Sequence, residues 1–295
     1  MFSNDIRKEA DANLKKSVND YKERCKISSK LSAELYSDRQ GLKSIINDAY
    51  NFINLIKNKP STMANEIQEV KINVENFDAT IYHYQKEIDA NKKQSSETAG
   101  AGVLAGLGVA TLAPGIAMGL VTTFGTASTG VAISTLSGAA ATNAALAALG
   151  GGALTAGGAG MAGGDALLAL AGPIGWAIGG AALIGGGLLF NKKNKEIAEK
   201  MNKESQKIKN EIYKQTLISK SIRDMCSLTK KDSLNMRVEV DSVQSYPKEY
   251  LDMSDDQKLR LGSFVNNLMT SSAHLNMVIN DDYKFVNKSD SKNIC

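Results

Sequence analysis

The sequence predicts an all-α protein: an elongated helical bundle or coiled coil with a Gly/Ala-rich hydrophobic hairpin inserted between long helices. Three observations lead there. Residues 98–191 carry one ionisable side chain, Asp165, and hold 24 of the 26 glycines. Both flanks are dense in Lys, Glu and Asp. Apolar residues in those flanks recur at spacings of 3 and 4, which keeps them on one side of an α-helix. The domain organisation read from this is 1–97 as an N-terminal helical segment, 98–191 as a membrane-insertion region, 192–279 as a C-terminal helical segment packing on the first, and 280–295 as a flexible tail.

Taken in order, the first helix shows a stripe of Ile6, Ala10, Leu14, Val18, Tyr21, Cys25, Ser28, Leu31 and Leu35. Leu42, Ile45, Ala49, Phe52 and Ile56 continue it beyond Gly41, where a kink is expected. Asn58-Lys59-Pro60 reads as a turn, because proline disfavours helix at the residue before it and opens the next helix well. The second helix has the clearest seam: Ile67, Val70, Val74, Phe77, Ile81, Tyr84 and Ile88. After the insert, Ile197, Met201, Ile208, Ile212, Ile222 and Met225 mark a third helix. Residues 234–247 are ambiguous, since Met236, Val238 and Val240 alternate as a short strand would. Ser254 and Gln257 form a capping-box pattern before a last helix with Leu261, Phe264, Leu268, Leu275 and Val278. From Asn280 the polar tail is expected to fray.

Composition excludes several functions. Net charge is +4, and no Lys/Arg block with interleaved aromatics appears, so a nucleic-acid partner is not expected. Cys25, Cys226 and Cys295 give neither a disulfide framework nor a zinc site. His83 and His274 have no sequence-local metal or nucleophile partner. Gly158, Gly160 and Gly163 form a lone GxGxxG with no strand before it and no acid after it until Glu196, which argues against a dinucleotide fingerprint. No catalytic residue, cofactor or metal is expected, and the chain is not read as an enzyme. The opening residues show no basic n-region leading into an apolar h-region, so no Sec leader is expected. The expected location is membrane-associated, or a cytoplasmic or non-classically secreted form before insertion.

Two stretches of the insert, 99–121 and 166–190, are long enough to cross a hydrocarbon core about 30 Å thick, which takes ~20 helical residues. Lys92 and Lys93 precede the first, and Lys192 and Lys193 follow the second; they are candidate headgroup anchors. Basic residues at both outer ends imply an even number of crossings. Small residues recur every fourth position, as in Gly102–Gly106, Gly115–Gly119 and Gly175–Gly179, leaving a groove through which helix backbones approach closely. Trp176 lies within the second stretch, away from its ends. The Ser/Thr/Ala/Gly-rich middle is a long hairpin tip or a second pair of short helices around 131–149. Asp165 is a helix N-cap or an ion-pathway carboxylate. A lipid bilayer is thus the expected partner, with self-association or a helical partner protein beside it. Two other readings stay open: a buried Gly/Ala core, and a constitutively anchored coiled-coil scaffold.

Amphipathic flanks over 5–95 and 192–279 around an apolar hairpin at 98–191 resemble the α-helical pore-forming toxins of the cytolysin A and haemolysin BL type. That resemblance implies a helical body shielding a hydrophobic tongue, whose release is accompanied by ring assembly. The block 125–176 also resembles a glycine-rich module that recurs in bacterial proteins.

Overall fold

A computed structural model of the chain describes residues 2–98, 123, 191–280 and 282–287, with side chains defined for most of them. The described chain is all-α, apart from a short hairpin. Its elements are α1 (Phe2–Asn54), α2 (Ser61–Thr98), α3 (Asn191–Val243), a 3-10 turn (Tyr250–Asp252), α4 (Asp255–His274), β1 (Val278–Ile279) and β2 (Phe285–Val286). The helices group into two compact units. Described residues of the first are 2–30, 87–98 and 191–220; those of the second are 31–86, Thr123, 221–280 and 282–287.

In the first unit α1 and α3 run parallel. Ser17 meets Ser205, and Ser28 meets Gln215 and Ser219, at sequence separations of 188, 187 and 191. A near-constant separation is the mark of two helices pointing the same way. Ala10, Leu14 and Tyr21 of α1 pack on Ala198, Met201 and Ile208 of α3, with Val18, Ile197 and Ile212 half-buried beside them. Apolar steps alternate with serines along this seam, because the 3.5-residue repeat continues while the side chains change character.

The second unit is an up-down-up-down bundle of four helices. Parallel α1 and α3 are linked by Glu34–Lys230. Lys43 to Asp78 ties α1 to the returning α2. Asn267 to Glu239 and His274 to Asp232 tie α4 to α3 at separations of 28 and 42, the widening ladder of an antiparallel helix pair. The core is contiguous and apolar: Leu42, Ile46 and Ile53 of α1, Val70 and Phe77 of α2, Met236 of α3, and Leu261, Val265 and Leu268 of α4. Fully burying each such side chain stabilises by roughly 1.5–3 kcal/mol, so this unit holds the main apolar stabilisation of the described chain.

Both ends of that bundle are closed by short backbone pairings. At one end the α1–α2 and α3–α4 connections meet, with the Lys57 amide donating to the Lys248 carbonyl (2.8 Å) and the Tyr250 amide to the Lys57 carbonyl (3.0 Å). Asn58 in this turn is left-handed (φ 54°), a conformation asparagine tolerates better than most residues. Ser254 then starts α4 with a complete capping box, its hydroxyl accepting from the Gln257 amide and its own amide donating to Gln257 Oε1. At the other end β1 and β2 pair antiparallel, Val278 opposite Val286 and Ile279 opposite Phe285.

The structure resolves one open assignment and changes three expectations. Residues 234–243, left open between helix and strand by the sequence, are helix: Met236, Val240 and Val243 are buried while Val238 is exposed, a 3–4 spacing that resembles alternation over a short window. Helix α1 passes through Gly41 without interruption, with no heavy atom within 4 Å of a Cβ built there. The tail does not simply fray from Asn280, because β2 returns to β1 around an Asn280 side chain that accepts from the Asp282 and Lys284 amides. Val278 belongs to that hairpin and not to α4.

Candidate functional site: the helices that bracket the insert

The predicted packing residues Gly102, Gly106, Gly115, Gly119, Gly175, Gly179 and Trp176, and Asp165, lie outside the described residues. So do both predicted crossings. Among the described residues no helix is long and apolar enough to cross a membrane. Lys92 and Lys93 fall in the C-terminal part of α2 and Lys192 and Lys193 in the first turn of α3; their side chains lie outside the description. Thr123, within the insert, is helical and fully buried.

What the structure does define is how the bracketing helices are arranged. In the second unit α2 runs antiparallel to α1, while α3 runs parallel to it. It follows that α2 departs from this unit at the end where α3 arrives. Within this unit α2 and α3, the helices that precede and follow 99–190 in the chain, therefore point in opposite directions, as a hairpin between them requires.

The α1–α3 seam of the first unit contains a polar stretch, of whose α1 residues the sequence stripe held Ser28 but not Ser17. Ser17 and Ser205 are both buried, with their hydroxyls 2.7 Å apart. Ser28, 1% exposed, donates to Gln215 Oε1 (2.7 Å) and lies 2.9 Å from Ser219 Oγ. Buried hydroxyls and amides are tolerated where they satisfy one another, and such pairs fix register more than they add stability. Apolar residues alone favour Val18 over Ser17 and, in the second unit, Leu31 over the buried Ser32. The signal available was the small size and the heptad position of the serines.

Charged groups collect on the second unit where α1 and α3 meet the hairpin. Arg39 is fully buried, its Nη2 donating to the Met277 carbonyl (2.7 Å) and its guanidinium 5.6 Å from the Phe285 ring centre. Burial pulls its pKa down to about 9. The free thiol of Cys226 is buried and its pKa is pushed up to about 11, first by desolvation and then by the Asp38 charge. That keeps the thiol protonated and poorly nucleophilic at neutral pH. Lys230 bridges Glu34 (2.6 Å) and Asp38 (3.5 Å), and the Glu34 hydrogen bond raises the lysine's pKa. Asp38 titrates above its usual range because desolvation outweighs the Lys230 attraction. His274 Nδ1 lies 2.7 Å from Asp232 Oδ2, a partner 42 residues away that local sequence could not supply. Among the described residues no group of three or more His, Cys, Asp or Glu side chains is placed to hold a metal ion.

Among the described residues these features read as structural: ion pairs at Lys230 and His274, and a buried cation held by a carbonyl and a ring. No family model, no curated protein and no solved structure matches this chain.

Proposed function

We propose that the protein is a membrane-inserting helical protein. It converts from a soluble to a membrane-bound oligomeric state through 99–190, and there forms a pore or perturbs the bilayer. One observation carries this reading: a segment with a single ionisable residue connects two charged helices that run in opposite directions. Water disfavours so long an apolar stretch unless protein or lipid covers it. A hairpin leaving and returning on one side keeps Lys92, Lys93, Lys192 and Lys193 in the headgroup region while the segment between them crosses. Repeated small residues such as Gly102, Gly106, Gly175 and Gly179 let the inserted helices, and copies of them, pack closely. The resemblance to α-helical pore-forming toxins of the cytolysin A and haemolysin BL type points the same way.

The uninterrupted 53-residue helices α1 and α3 favour a second reading, a coiled-coil scaffold that uses the hairpin only as an anchor. Two measurements on vesicles separate the readings. Insertion with perturbation gives carbonate-resistant binding and dye release; an anchor gives resistance without release. Protein that stays in the supernatant at every pH and lipid composition tried would count against both.

A further inference from the structure

The net charge of +4 conceals a division between the two units. Outside the insert, the first unit has nineteen Lys/Arg against twelve Asp/Glu, a net +7. The second has sixteen against eighteen, a net −2. The excess is presented to solvent: Lys8, Lys16 and Lys30 of α1 and Lys200, Lys203 and Lys209 of α3 are all exposed. Part of the unit's acidity is already spent locally, in the pairs Lys15–Asp11, Lys207–Glu204 and Lys214–Glu211. Both helix ends that border the insert, Thr98 of α2 and Asn191 of α3, belong to this same unit.

We propose that the first unit is a docking surface for an anionic membrane, with its exposed lysines taking lipid headgroups along α1 and α3. This rests on the insertion reading and extends it from the four lysines at the hairpin ends to a whole unit. Each lysine near such a surface contributes about 1 kcal/mol, and the attraction reaches only about a Debye length, so a surplus spread along a helical unit is effective where that unit lies against the bilayer. A nucleic acid would also be drawn to net positive charge. It would not account for the surplus lying on the unit from which the charge-poor segment departs, while the other unit is slightly acidic.

The test uses the full-length protein with vesicles of phosphatidylcholine, with and without phosphatidylserine, and with duplex DNA of similar total charge. Binding is expected to be tighter to the anionic vesicles and to weaken as salt is raised. Combining Lys200→Gln, Lys203→Gln and Lys209→Gln is expected to weaken that binding by roughly 100-fold, from about 1 kcal/mol per lysine, with helical circular dichroism retained. Lys71→Gln with Lys231→Gln, at exposed positions of the second unit, is expected to leave it unchanged. Equal affinity for neutral and anionic vesicles, an unaffected triple variant, or tighter binding to DNA than to anionic vesicles overturns the proposal. Dye release from neutral vesicles at the same rate leaves insertion standing and removes the anionic surface. Anionic binding without release or carbonate resistance does the reverse.

Discussion

Arg39 and Met277 form the contact that closes one end of the four-helix unit: a fully buried guanidinium on α1 donates to the carbonyl just before β1, 2.7 Å away. A cation removed from water loses several kcal/mol of hydration, and here a carbonyl and the Phe285 ring return part of it. The hairpin and the arginine should therefore depend on each other.

That dependence is measurable by a double-mutant cycle. Arg39→Met, which keeps the bulk and drops the charge, removes the cation's desolvation cost but leaves the Met277 carbonyl without its donor, so its own effect is expected to be small. Phe285→Ala is expected to cost about 1 kcal/mol or more in the native background and clearly less beside Arg39→Met, with urea midpoints as the readout. Equal costs in the two backgrounds would mean that the hairpin packs without reference to the charge.

The serine pair of the first unit makes the opposite kind of prediction. Ser17→Ala alone should cost on the order of 1 kcal/mol, since it takes the Ser205 hydroxyl's buried partner away. Adding Ser205→Ala should cost little more, because no unmet hydroxyl then remains. Thermal unfolding of the two single variants and the double variant decides this; strict additivity contradicts it.

In the second unit the apolar core should respond far more strongly. Leu268 is 0% exposed within the main cluster, and Leu268→Ala is expected to destabilise by about 2–5 kcal/mol through lost contact and a residual cavity. Ser254→Ala, which removes the cap of the same helix, is expected to cost about 1 kcal/mol. Denaturant unfolding of both variants gives the ranking, and a cap loss as costly as the core loss would refute it.

Glu239 supplies a pH dependence. Desolvation raises its pKa above the ordinary 4.5, and the Asn267 hydrogen bond lowers it only in part. The native state thus binds its proton more tightly than the unfolded state does. Glu239 opposes folding while ionised at neutral pH, and this opposition fades as pH falls through its raised pKa and is gone below 4.5. Glu239→Gln should therefore be more stable than the native protein at pH 7 and equal to it in acid, judged by melting temperature against pH. A constant difference across that range would assign the effect to packing.

Much of the fold was legible in the residues. The seam Ile67, Val70, Val74 and Phe77 is buried as its spacing implied, and the Pro60 turn and Ser254 cap stand where local chemistry put them. One short window left its assignment open, and one stripe position was misplaced. Three alternating apolar residues at 236–240 carry too few periods to separate a strand from a helix, and Ile6, included in the first stripe, is 41% exposed. The candidate site was legible only as a segment, since its glycines and Asp165 lie outside the described residues.

Sequence alone determined where water is tolerated: long charged helices, and between them residues 98–191 with almost no charge. This follows from local propensity and solvation, which each stretch of chain carries with it. Tertiary structure decided that α1 and α3 run parallel, that Ser17 and Ser32 are buried, and that Arg39 is enclosed by a hairpin from the far end of the chain. Those outcomes depend on partners 187 to 238 residues away. No local pattern encodes which of several comparable helix faces will meet, because that choice is made by the packing of the whole bundle.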